Sequence, residues 1–371
     1  MIRLKLVALF LVLLSACSDL PRPERPAVPS SKLLLVGASD FVTGFLNAIS
    51  LADNTVYRDI LPTHSDSVVR SSANEAYVVN RLGQDNITRL LAEQSFSPRY
   101  ESATGNLSNP HDIVVVDSST AVVSLYGKNY LLLIDPSSGA TKGQIDLSAY
   151  ADIDTLPEAA SLYLDRTDLY VTVQRLNRFI VGAQVWPPVG TSYLLRIPTS
   201  TYQVAEAFSL PYTNPISRLR HFAPRNSLIF CTPALYAFNY ALDGGIVEFD
   251  LDTKTFSTAP LTETQAGLEL SDAILVSATL GFAIGNDADF NSTLLAFNPS
   301  TNQVIKTMAT LSFSVGGYYS DLAYSNGKLY LADRKLTAPG VRIFDTASLQ
   351  EITTEPLNVG LPPLSLQVFR E

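Results

Sequence analysis

A recurring four-strand unit constrains the fold of this chain more than any other feature of its sequence. The clearest copy lies near the C-terminus, where short apolar runs are separated by turn residues. Asn326-Gly327 joins the first two runs and is a strong hairpin signal, because both residues tolerate the positive φ that a tight two-residue turn requires. The four predicted strands of this unit are Leu322–Tyr324, Leu329–Ala332, Val341–Phe344 and Glu351–Leu357.

The same unit recurs along the chain at a spacing of about 43 to 59 residues, which is typical of the blades of a β-propeller. The predicted first strands begin near Asp66, Asp112, Glu158, Ser217, Asp272, Asp321 and Leu364. The predicted second strands are Ala76–Asn80, Ala121–Leu125, Leu169–Val173, Ser227–Cys231, Gly281–Gly285 and Leu329–Ala332. An open β-solenoid would have a shorter period, and a pair of β-sandwiches would not need equal spacing.

The two ends of the chain complement each other. The first unit begins with a second-type strand at Leu33–Val36 and continues with Gly44–Leu51 and Val56–Leu61, so it lacks its own first strand. Leu364–Phe369 is a surplus first strand at the C-terminus. We therefore predict an all-β fold over residues 32–371, a seven-bladed β-propeller closed by pairing of the N- and C-terminal strands, which hides the exposed sheet edges.

Two segments, Tyr77-Val78-Val79-Asn80 and Leu169–Val173, resemble the repeat of YVTN-type β-propellers, which are relatives of the WD40-like, quinoprotein-like and lactonase-like propellers. Further segments resemble a set of bacterial propeller lipoproteins with no assigned activity. These segments are Asn80–Ile87, Asn109–Asp112, Ile145–Glu158, Gln174–Arg178 and Gly285–Phe290. The resemblance implies the fold and an exported address, and it brings no catalytic residues with it.

The N-terminus predicts export and a lipid anchor. Arg3 and Lys5 precede an apolar run, Leu6–Leu14, that is too short to span a bilayer comfortably. The next residues, Leu14-Ser15-Ala16-Cys17, resemble the lipobox of bacterial lipoproteins. We expect residues 1–16 to be a signal peptide and Cys17 to be lipidated; the alternative is an ordinary signal peptide with an incidental Cys.

Residues 17–31 are predicted to form a tether behind this anchor. Four spaced prolines favour an extended, semi-rigid segment; they are Pro21, Pro23, Pro26 and Pro29. Ser18 follows the Cys where an Asp would favour retention in the inner membrane, so we expect an outer-membrane location. Which side of that membrane the protein faces is left open.

Net charge limits the kinds of partner that we expect, and cysteine content limits the sources of stability. The formal net charge is -9, and removing Arg3 and Lys5 with the signal would leave -11. An acidic chain is not drawn to nucleic acid by its overall field, so we expect no nucleic-acid partner, and we expect a monomer. Cys231 is the only Cys besides Cys17, which leaves no intramolecular disulfide once Cys17 is lipidated. Stability must then come from a large core.

One face of the predicted propeller collects polar residues, because the entries of the first strands and the loops between second and third strands lie on the same rim. This rim around the central channel is the default binding-site hypothesis. Its candidate residues are Asp66, His111, Asp112, Glu158, Arg175, Arg178, Asp272, Asp287, Asp289, Asp321 and Arg334.

The recurring acidic residues permit two interpretations. An Asp at a strand entry often accepts backbone N–H bonds and shapes the local turn. Alternatively, four carboxylates facing the channel would hold a hard cation such as Ca²⁺; the candidate ligands are Asp112, Glu158, Asp272 and Asp321. Asp287-Ala288-Asp289-Phe290-Asn291 begins like a calcium loop but lacks the Gly and Glu of an EF-hand, and Asp152 and Asp154 before Glu158 form a similar segment.

Arg175 and Arg178 lie beside a longer insertion that contains Trp186. Arg next to an exposed aromatic residue is a composition found at protein interfaces; alternatively, Trp186 packs onto its blade and the arginines pair with carboxylates. A nearby segment adds three aromatic residues that would extend the same lip, namely Tyr236, Phe238 and Tyr240.

Signatures of enzymes are mostly absent. The chain has three His, no Cys-x-x-Cys-His haem motif and no Gly-x-Ser-x-Gly elbow. We therefore expect a membrane-anchored, extracytoplasmic, non-catalytic binding or scaffold module with a protein or envelope glycan as partner. The alternative is a divalent-cation-dependent, lactonase-like hydrolase or lyase with its metal in the central channel.

Overall fold

The computed structural model describes residues 27–72, 75–179, 186–234 and 240–371, and the regular secondary structure of these residues is almost entirely β-strand. The predicted signal peptide, Cys17 and the first ten residues of the predicted tether lie outside the described residues, as do Tyr236 and Phe238 of the predicted aromatic lip. The described strands are β1 (Leu33–Ser39), β2 (Gly44–Ser50), β3 (Val56–Thr63), β4 (Ser67–Ser72), β5 (Glu75–Asn80), β6 (Asn86–Leu91), β7 (Ser97–Ala103), β8 (Pro110–Asp117), β9 (Thr120–Leu125), β10 (Tyr130–Ile134), β11 (Thr141–Asp146), β12 (Ala159–Asp165), β13 (Asp168–Val173), β14 (Tyr193–Pro198), β15 (Glu206–Ser209), β16 (Arg220–Phe222), β17 (Ser227–Thr232), β18 (Gly245–Asp250), β19 (Thr255–Phe256), β20 (Glu269–Ser277), β21 (Leu280–Asn286), β22 (Ser292–Asn298), β23 (Gln303–Leu311), β24 (Tyr319–Ser325), β25 (Lys328–Asp333), β26 (Gly340–Asp345), β27 (Gln350–Glu351) and β28 (Pro363–Phe369).

Helical structure in the described part of the chain is limited to short segments. One α-helix, α1 (Glu263–Ala266), begins with a capping box in which Thr262 and Gln265 satisfy each other's backbone N–H groups. Four single 3₁₀ turns lie at Ala92–Gln94, Ser148–Tyr150, Ala223–Arg225 and Phe313–Val315. None of the helices in the described ranges is long and apolar enough to cross a membrane.

The strands form seven antiparallel sheets of four, which confirms the predicted seven-bladed propeller. Six sheets contain four consecutive strands each, from β4–β7 to β24–β27. The seventh has the order β28-β1-β2-β3 and is built from both ends of the chain. Leu33 pairs with Phe369 and Val36 with Leu366, so the C-terminal strand completes the first blade and closes the ring as predicted.

Local chemistry explains where strands differ from the predicted bounds. Asn326 and Gly327 have φ values of 48° and 75°, as the tight turn between β24 and β25 requires. The predicted fourth strand of that blade is shorter: β27 ends at Glu351, because Ile343 N donates to Thr353 Oγ1 at 3.2 Å instead of to a strand carbonyl, and only an isolated bridge joins Leu357 to Val341. The first strand of the fifth blade, which was predicted to begin near Ser217, begins at Arg220.

Strand β16 covers only three residues because a side chain replaces part of its ladder. The hydroxyl of Ser217 accepts the backbone N–H of Cys231 at 2.7 Å, where a strand would offer a carbonyl. Cys231 is fully buried, as expected of a small hydrophobe, and burial raises the pKa of its thiol well above the usual value.

The core lies between neighbouring blades. Successive side chains of a strand point to opposite faces of its sheet, so β1 packs on both sides. Leu34 and Val36 belong to a core cluster that includes Ile343 of the preceding blade, whereas Leu33 and Leu35 belong to a cluster that includes Val69 of the next blade. Burying one such side chain stabilises the fold by about 1.5–3 kcal/mol, so this stacking supplies the large core that a chain without disulfides needs.

The alternating strand directions define two faces. The connections between first and second strands and between third and fourth strands lie on one side, the turn face. The remaining connections lie on the other side, the loop face. The described chain enters on the turn face, where Val28 N donates to Ser95 Oγ at 3.3 Å and Lys32 N donates to Arg370 O at 2.8 Å.

Candidate functional site

Three aspartates of the inner strands join neighbouring blades. Asp112 Oδ2 accepts the N–H of Leu162 at 3.0 Å, and Asp321 Oδ2 accepts that of Leu366 at 2.7 Å. Asp272 Oδ2 likewise accepts the N–H of Leu322 at 3.1 Å. In each case the donor belongs to the first strand of the next blade. The strand-entry aspartates therefore do accept backbone N–H bonds, but across the blade boundary as well as within their own strand.

In two other blades, serine hydroxyls accept a backbone N–H of the next blade in the same way. Ser161 Oγ accepts the N–H of Leu219 at 2.8 Å, and Ser365 Oγ accepts that of Val69 at 3.0 Å. Together with the aspartates they place a side-chain-to-backbone bond at five of the seven blade boundaries around the channel. Buried donors that would otherwise lose water are thereby satisfied.

Arginines neutralise these carboxylates. Arg70 Nε lies 2.6 Å from Asp112 Oδ1, and Arg220 Nη2 lies 2.7 Å from Asp272 Oδ2 and 2.8 Å from Asp321 Oδ1. Burial raises the pKa of Asp272 to about 6, while Arg220 acts in the opposite direction. A guanidinium thus already stands between the carboxylates that a channel cation would need. The channel metal stays a prediction, and the fourth predicted ligand, Glu158, belongs to a different cluster described below.

The arginines that line the channel are candidate binding residues that the sequence analysis did not identify. They are Arg70, Arg218 and Arg220, and they line a cavity of about 420 Å³ together with Tyr163, His221 and Gln367. The signal was present in the alternation of Arg218 and Arg220, since residues two apart on a strand share a face. A charged residue recurring on one face of a predicted inner strand indicates a polar channel.

Arg218 differs from the other two channel arginines because its partners are neutral. Its Nη1 donates to Leu366 O at 3.2 Å and its Nη2 donates to Gln367 Oε1 at 3.0 Å. No ion pair within 4.0 Å involves Arg218 among the described residues. Burial and the neighbouring Arg220 and Arg70 lower the pKa of Arg218 to about 10, so it remains a cation at neutral pH.

Glu158 lies in an acidic cluster on the loop face. One carboxylate oxygen each of Asp152, Asp154 and Glu158 lies within 4.8 Å of the other two, and no second such group of three is found in the described part of the chain. Arg178 Nε is 3.0 Å from Glu158 Oε1 and 3.9 Å from Asp154 Oδ2. Burial raises the pKa of Glu158 to about 8, although Arg178 lowers it.

The two arginines predicted for this rim are held by neighbours, while Trp186 stays 40% exposed. The Arg178 guanidinium lies 4.9 Å from the ring centre of Tyr126 and 5.3 Å from that of Trp186. Arg175 Nη1 donates to Thr191 O at 3.0 Å. Arg178 thus pairs with a carboxylate, as the structural interpretation expected, whereas Arg175 bonds a backbone carbonyl, and the Trp186 ring against the Arg178 guanidinium remains partly exposed.

Other predicted rim residues are engaged locally. Asp287 Oδ1 accepts the N–H groups of Asp289 and Asn291, each at 2.9 Å, so this loop is internally satisfied, and Asp289 is exposed. Asp66 pairs with Arg81. His111 stacks on Tyr126 with ring centres 4.3 Å apart, and burial lowers the pKa of its imidazole well below the usual value. His111 is therefore neutral at pH 7.

Arg334 is the most deeply buried of the predicted rim cations, with 3% of its surface exposed. Its Nη2 donates to Ser39 O and its Nη1 to Pro362 O, each at 3.0 Å, so it connects the last blade to the closing one. Its guanidinium lies 4.5 Å from the ring centre of Phe41 and 5.4 Å from that of Tyr318. The Arg334 guanidinium thus contacts two exposed aromatic loop residues at once.

These rings belong to a larger group, which we call the exposed apolar set. Most of the large hydrophobic side chains that are exposed in the described residues lie on connections of the loop face. The exceptions are Val304 and Ile305, which lie on the outer strand β23, and Ile352, which continues the outer strand β27 and donates its N–H to Ile343 O at 2.7 Å. The exposed apolar set comprises Phe41, Val42, Leu82, Leu107, Ile153, Phe179, Trp186, Tyr240, Phe313, Val315, Tyr318 and Leu336. Sequence reasoning found only Trp186 and Tyr240 of this set, because single apolar residues in polar loops carry no periodicity.

Comparison with known proteins gives a likeness of fold. No family model matches the chain, and no curated protein matches it. Among solved structures, a protein provisionally named 6-phosphogluconolactonase from Bacteroides uniformis is 10% identical, with a TM-score of 0.61 over 91% of this chain and 99% of the other. The dihydro-heme d1 dehydrogenase NirN, in complex with DHE, is 15% identical, with a TM-score of 0.56 over 95% of this chain and 78% of the other.

A third structure, apo AztD from Citrobacter koseri, is 14% identical, with a TM-score of 0.54 over 90% of this chain and 96% of the other. At such identities the likeness extends to the arrangement of strands and not to site residues. On its own topology and on these comparisons, the chain is a seven-bladed β-propeller.

Proposed function

We propose that this chain is a non-catalytic binding module whose loop face docks a partner protein. The exposed apolar set is the observation that carries the proposal. Val42, Leu336 and Leu107 are 83%, 72% and 70% exposed, and all three lie on the loop face. Exposed apolar side chains gathered on one side of a soluble domain are a cost in water unless a partner covers them.

Contacts between loops support a joined surface. Leu82 N donates to Asn109 Oδ1 at 3.1 Å, which brings its loop against the one that carries Leu107. Arg334 joins Phe41 to Tyr318 in the same way. Aromatic residues backed by arginine are the composition of interface anchors, and the aliphatic neighbours supply area that excludes water.

The chemistry of this face favours a protein over an envelope glycan. A glycan is held mainly by hydrogen bonds and by stacking on flat rings, whereas half of the exposed apolar set is aliphatic. Leu, Ile and Val side chains gain most from apolar side chains of another protein. The partner is therefore expected to present an apolar patch with a polar rim.

The proposed anchor is compatible with this docking. Residues 27–32 lie on the turn face, opposite the exposed apolar set. A lipid on Cys17 would hold the turn face toward the outer membrane and leave the loop face pointing away from it. An extended tether of about ten residues spans roughly 30 Å, enough to separate the propeller from the lipid.

Site-specific photo-crosslinking in intact cells tests the proposal. A photoreactive residue at position 107 should capture one protein saturably, and the variant Leu82→Ser/Leu107→Ser should abolish the capture from a probe at position 336. The matched control, Ile305→Ser/Ile352→Ser, changes exposed apolar residues elsewhere and should leave it intact. Capture of a second copy of this chain, capture of lipid alone, or equal capture by both variants would overturn it.

A second candidate function, binding of a small anion in the channel, rests on Arg218. This buried cation has neutral partners and faces a cavity of about 420 Å³, large enough for a small carboxylate or phosphate compound. The cation-dependent enzyme predicted as an alternative would instead need a metal where Arg70 and Arg220 already supply the positive charge.

Calorimetric titration with inorganic phosphate and with citrate checks the anion candidate. Binding to the full chain should be lost in Arg218→Gln and kept in Arg342→Gln, whose guanidinium pairs with Glu351 on an outer strand. Equal heats of anion binding for the two variants would contradict an anion site at Arg218.

A further inference from the structure

The loop between β11 and β12 holds three carboxylates in a shared arrangement. Each fixes one of its oxygens with a backbone N–H: Asp152 Oδ1 accepts from Asp154 N at 3.0 Å, and Asp154 Oδ1 accepts from Leu156 N at 2.9 Å. Glu158 Oε2 accepts from Leu176 N at 2.9 Å. These bonds orient all three carboxylates without using their second oxygens.

One oxygen of each carboxylate lies within 4.8 Å of an oxygen of the other two, and the second oxygens lack hydrogen-bond donors. Asp152 Oδ2, Asp154 Oδ2 and Glu158 Oε1 are buried and accept no hydrogen bond. Glu158 is 0% exposed, and the side chain of Asp154 is 4% exposed. Buried polar oxygens normally have a partner, so three together in one place indicate that something is bound there.

Positive charge in the cluster falls short of the negative charge. Arg178 Nε lies 3.0 Å from Glu158 Oε1, but the N–H is not aligned for a hydrogen bond, and its Nη2 donates to Tyr126 O at 2.8 Å. Arg175 also lowers the pKa of Asp152, but burial and Asp154 act more strongly and raise it. Three partly desolvated carboxylates beside these arginines still repel one another unless a cation or a proton joins them.

We infer that Asp152, Asp154 and Glu158 form a binding site for Ca²⁺, with the three converging oxygens as ligands and water completing the shell. The ligand set contains oxygen alone, which suits a hard cation and disfavours Zn²⁺ or Cu²⁺. The loop position suits the flexible geometry of Ca²⁺ better than the strict octahedron of Mg²⁺. Three protein ligands predict a dissociation constant of about 0.1–1 mM, as in extracellular calcium modules.

The site is independent of partner docking, although it lies beside the docking surface. Ile153, between two of the ligands, belongs to the exposed apolar set, and Trp186 stacks on the Arg178 guanidinium beside the third. A bound cation would hold this part of the loop face in one conformation whether or not a partner is present.

Terbium luminescence is the direct test, because Tb³⁺ replaces Ca²⁺ at oxygen sites and is excited by a nearby indole. Trp186 is the only Trp of the chain, so excitation at its absorption band reports on this location. The full chain should show sensitised emission that saturates at one Tb³⁺ per chain and that Ca²⁺ displaces more effectively than Mg²⁺. Asp154→Asn keeps the oxygen that accepts Leu156 N and should weaken binding by at least about tenfold.

The second calcium-like loop supplies the matched control. Asp287→Asn removes a carboxylate whose oxygens are already satisfied within its own loop, so it should leave the luminescence titration unchanged. Circular dichroism of each variant in EDTA verifies folding. The inference is overturned if wild type gives no sensitised emission, if 10 mM Ca²⁺ fails to compete, or if Asp154→Asn binds as well as wild type. A cluster joined by a shared proton gives the first of these results.

Discussion

Glu158 lies at the entry of β12, where a fully buried carboxylate meets one arginine and two aspartates. Its folded-state pKa is raised to about 8 from an ordinary value near 4.5, chiefly by burial. The folded protein therefore binds this proton more tightly than the unfolded chain does. The contribution of Glu158 to stability is full below about pH 4.5 and is lost as the pH rises through about 8.

The raised pKa of Glu158 predicts how the stability of the protein depends on pH. In EDTA, the midpoint of thermal unfolding should fall between pH 5.5 and pH 8.5 for the wild-type chain, and Glu158→Gln should reduce that fall. Asp289→Asn, at an exposed carboxylate on the same face, is the control and should keep the wild-type pH dependence. An unchanged pH dependence in Glu158→Gln would contradict the assignment.

Single residues also show what sequence reasoning can and cannot reach. The aspartates Asp112, Asp272 and Asp321 were found by their recurrence at the same place in several units. Their partners Arg70 and Arg220 were not found, because which arginine meets which aspartate depends on the packing of neighbouring blades. The converging oxygens at Asp152, Asp154 and Glu158 were suspected from spacing alone, which cannot reveal where a loop points each carboxylate.

At the scale of elements, the strand that closes the ring carries the clearest consequence. Phe369 of β28 is 0% exposed and meets the ring of Phe96 with centres 5.4 Å apart. Because β28 pairs with β1, this side chain joins the C-terminus to the first two blades. Loss of packing here weakens the strand pairing that closes the described propeller.

Phe369→Ala is expected to lower the free energy of unfolding by about 3–5 kcal/mol, as for other large-to-small changes in a core. Val304→Ala, on the outer strand β23, should change it by no more than about 0.5 kcal/mol. Urea unfolding followed by circular dichroism measures both. A cost below about 1 kcal/mol for Phe369→Ala would mean that strand closure contributes little to stability.

Elements were the most predictable level of this molecule. Recurring apolar runs, the Asn326-Gly327 turn and the surplus strand Leu364–Phe369 predicted the seven blades and their closure. The errors fall where a side chain interrupts a ladder: the Ser217 hydroxyl replaces a backbone acceptor before β16, and the Thr353 hydroxyl does so after β27. Such exchanges depend on a partner strand, so a reading of one strand at a time misses them.

At the scale of the whole molecule, the two faces of the propeller carry different features. The turn face receives residues 27–32, and the loop face carries the exposed apolar set and the acidic cluster. This polarity follows from the topology, because every connection of one kind emerges on the same side. A propeller can therefore present a broad, varied surface while its strands keep one architecture.

The affinity of the cross-linked partner for purified variants tests the central claim most directly. Burial of each exposed Leu contributes about 1.5–3 kcal/mol, so Leu82→Ser/Leu107→Ser should raise the dissociation constant by about 100-fold or more. Ile305→Ser/Ile352→Ser should leave it within about twofold, because small changes outside an interface are close to neutral. Equal affinities for the two double variants would show that the loop face is not the docking surface.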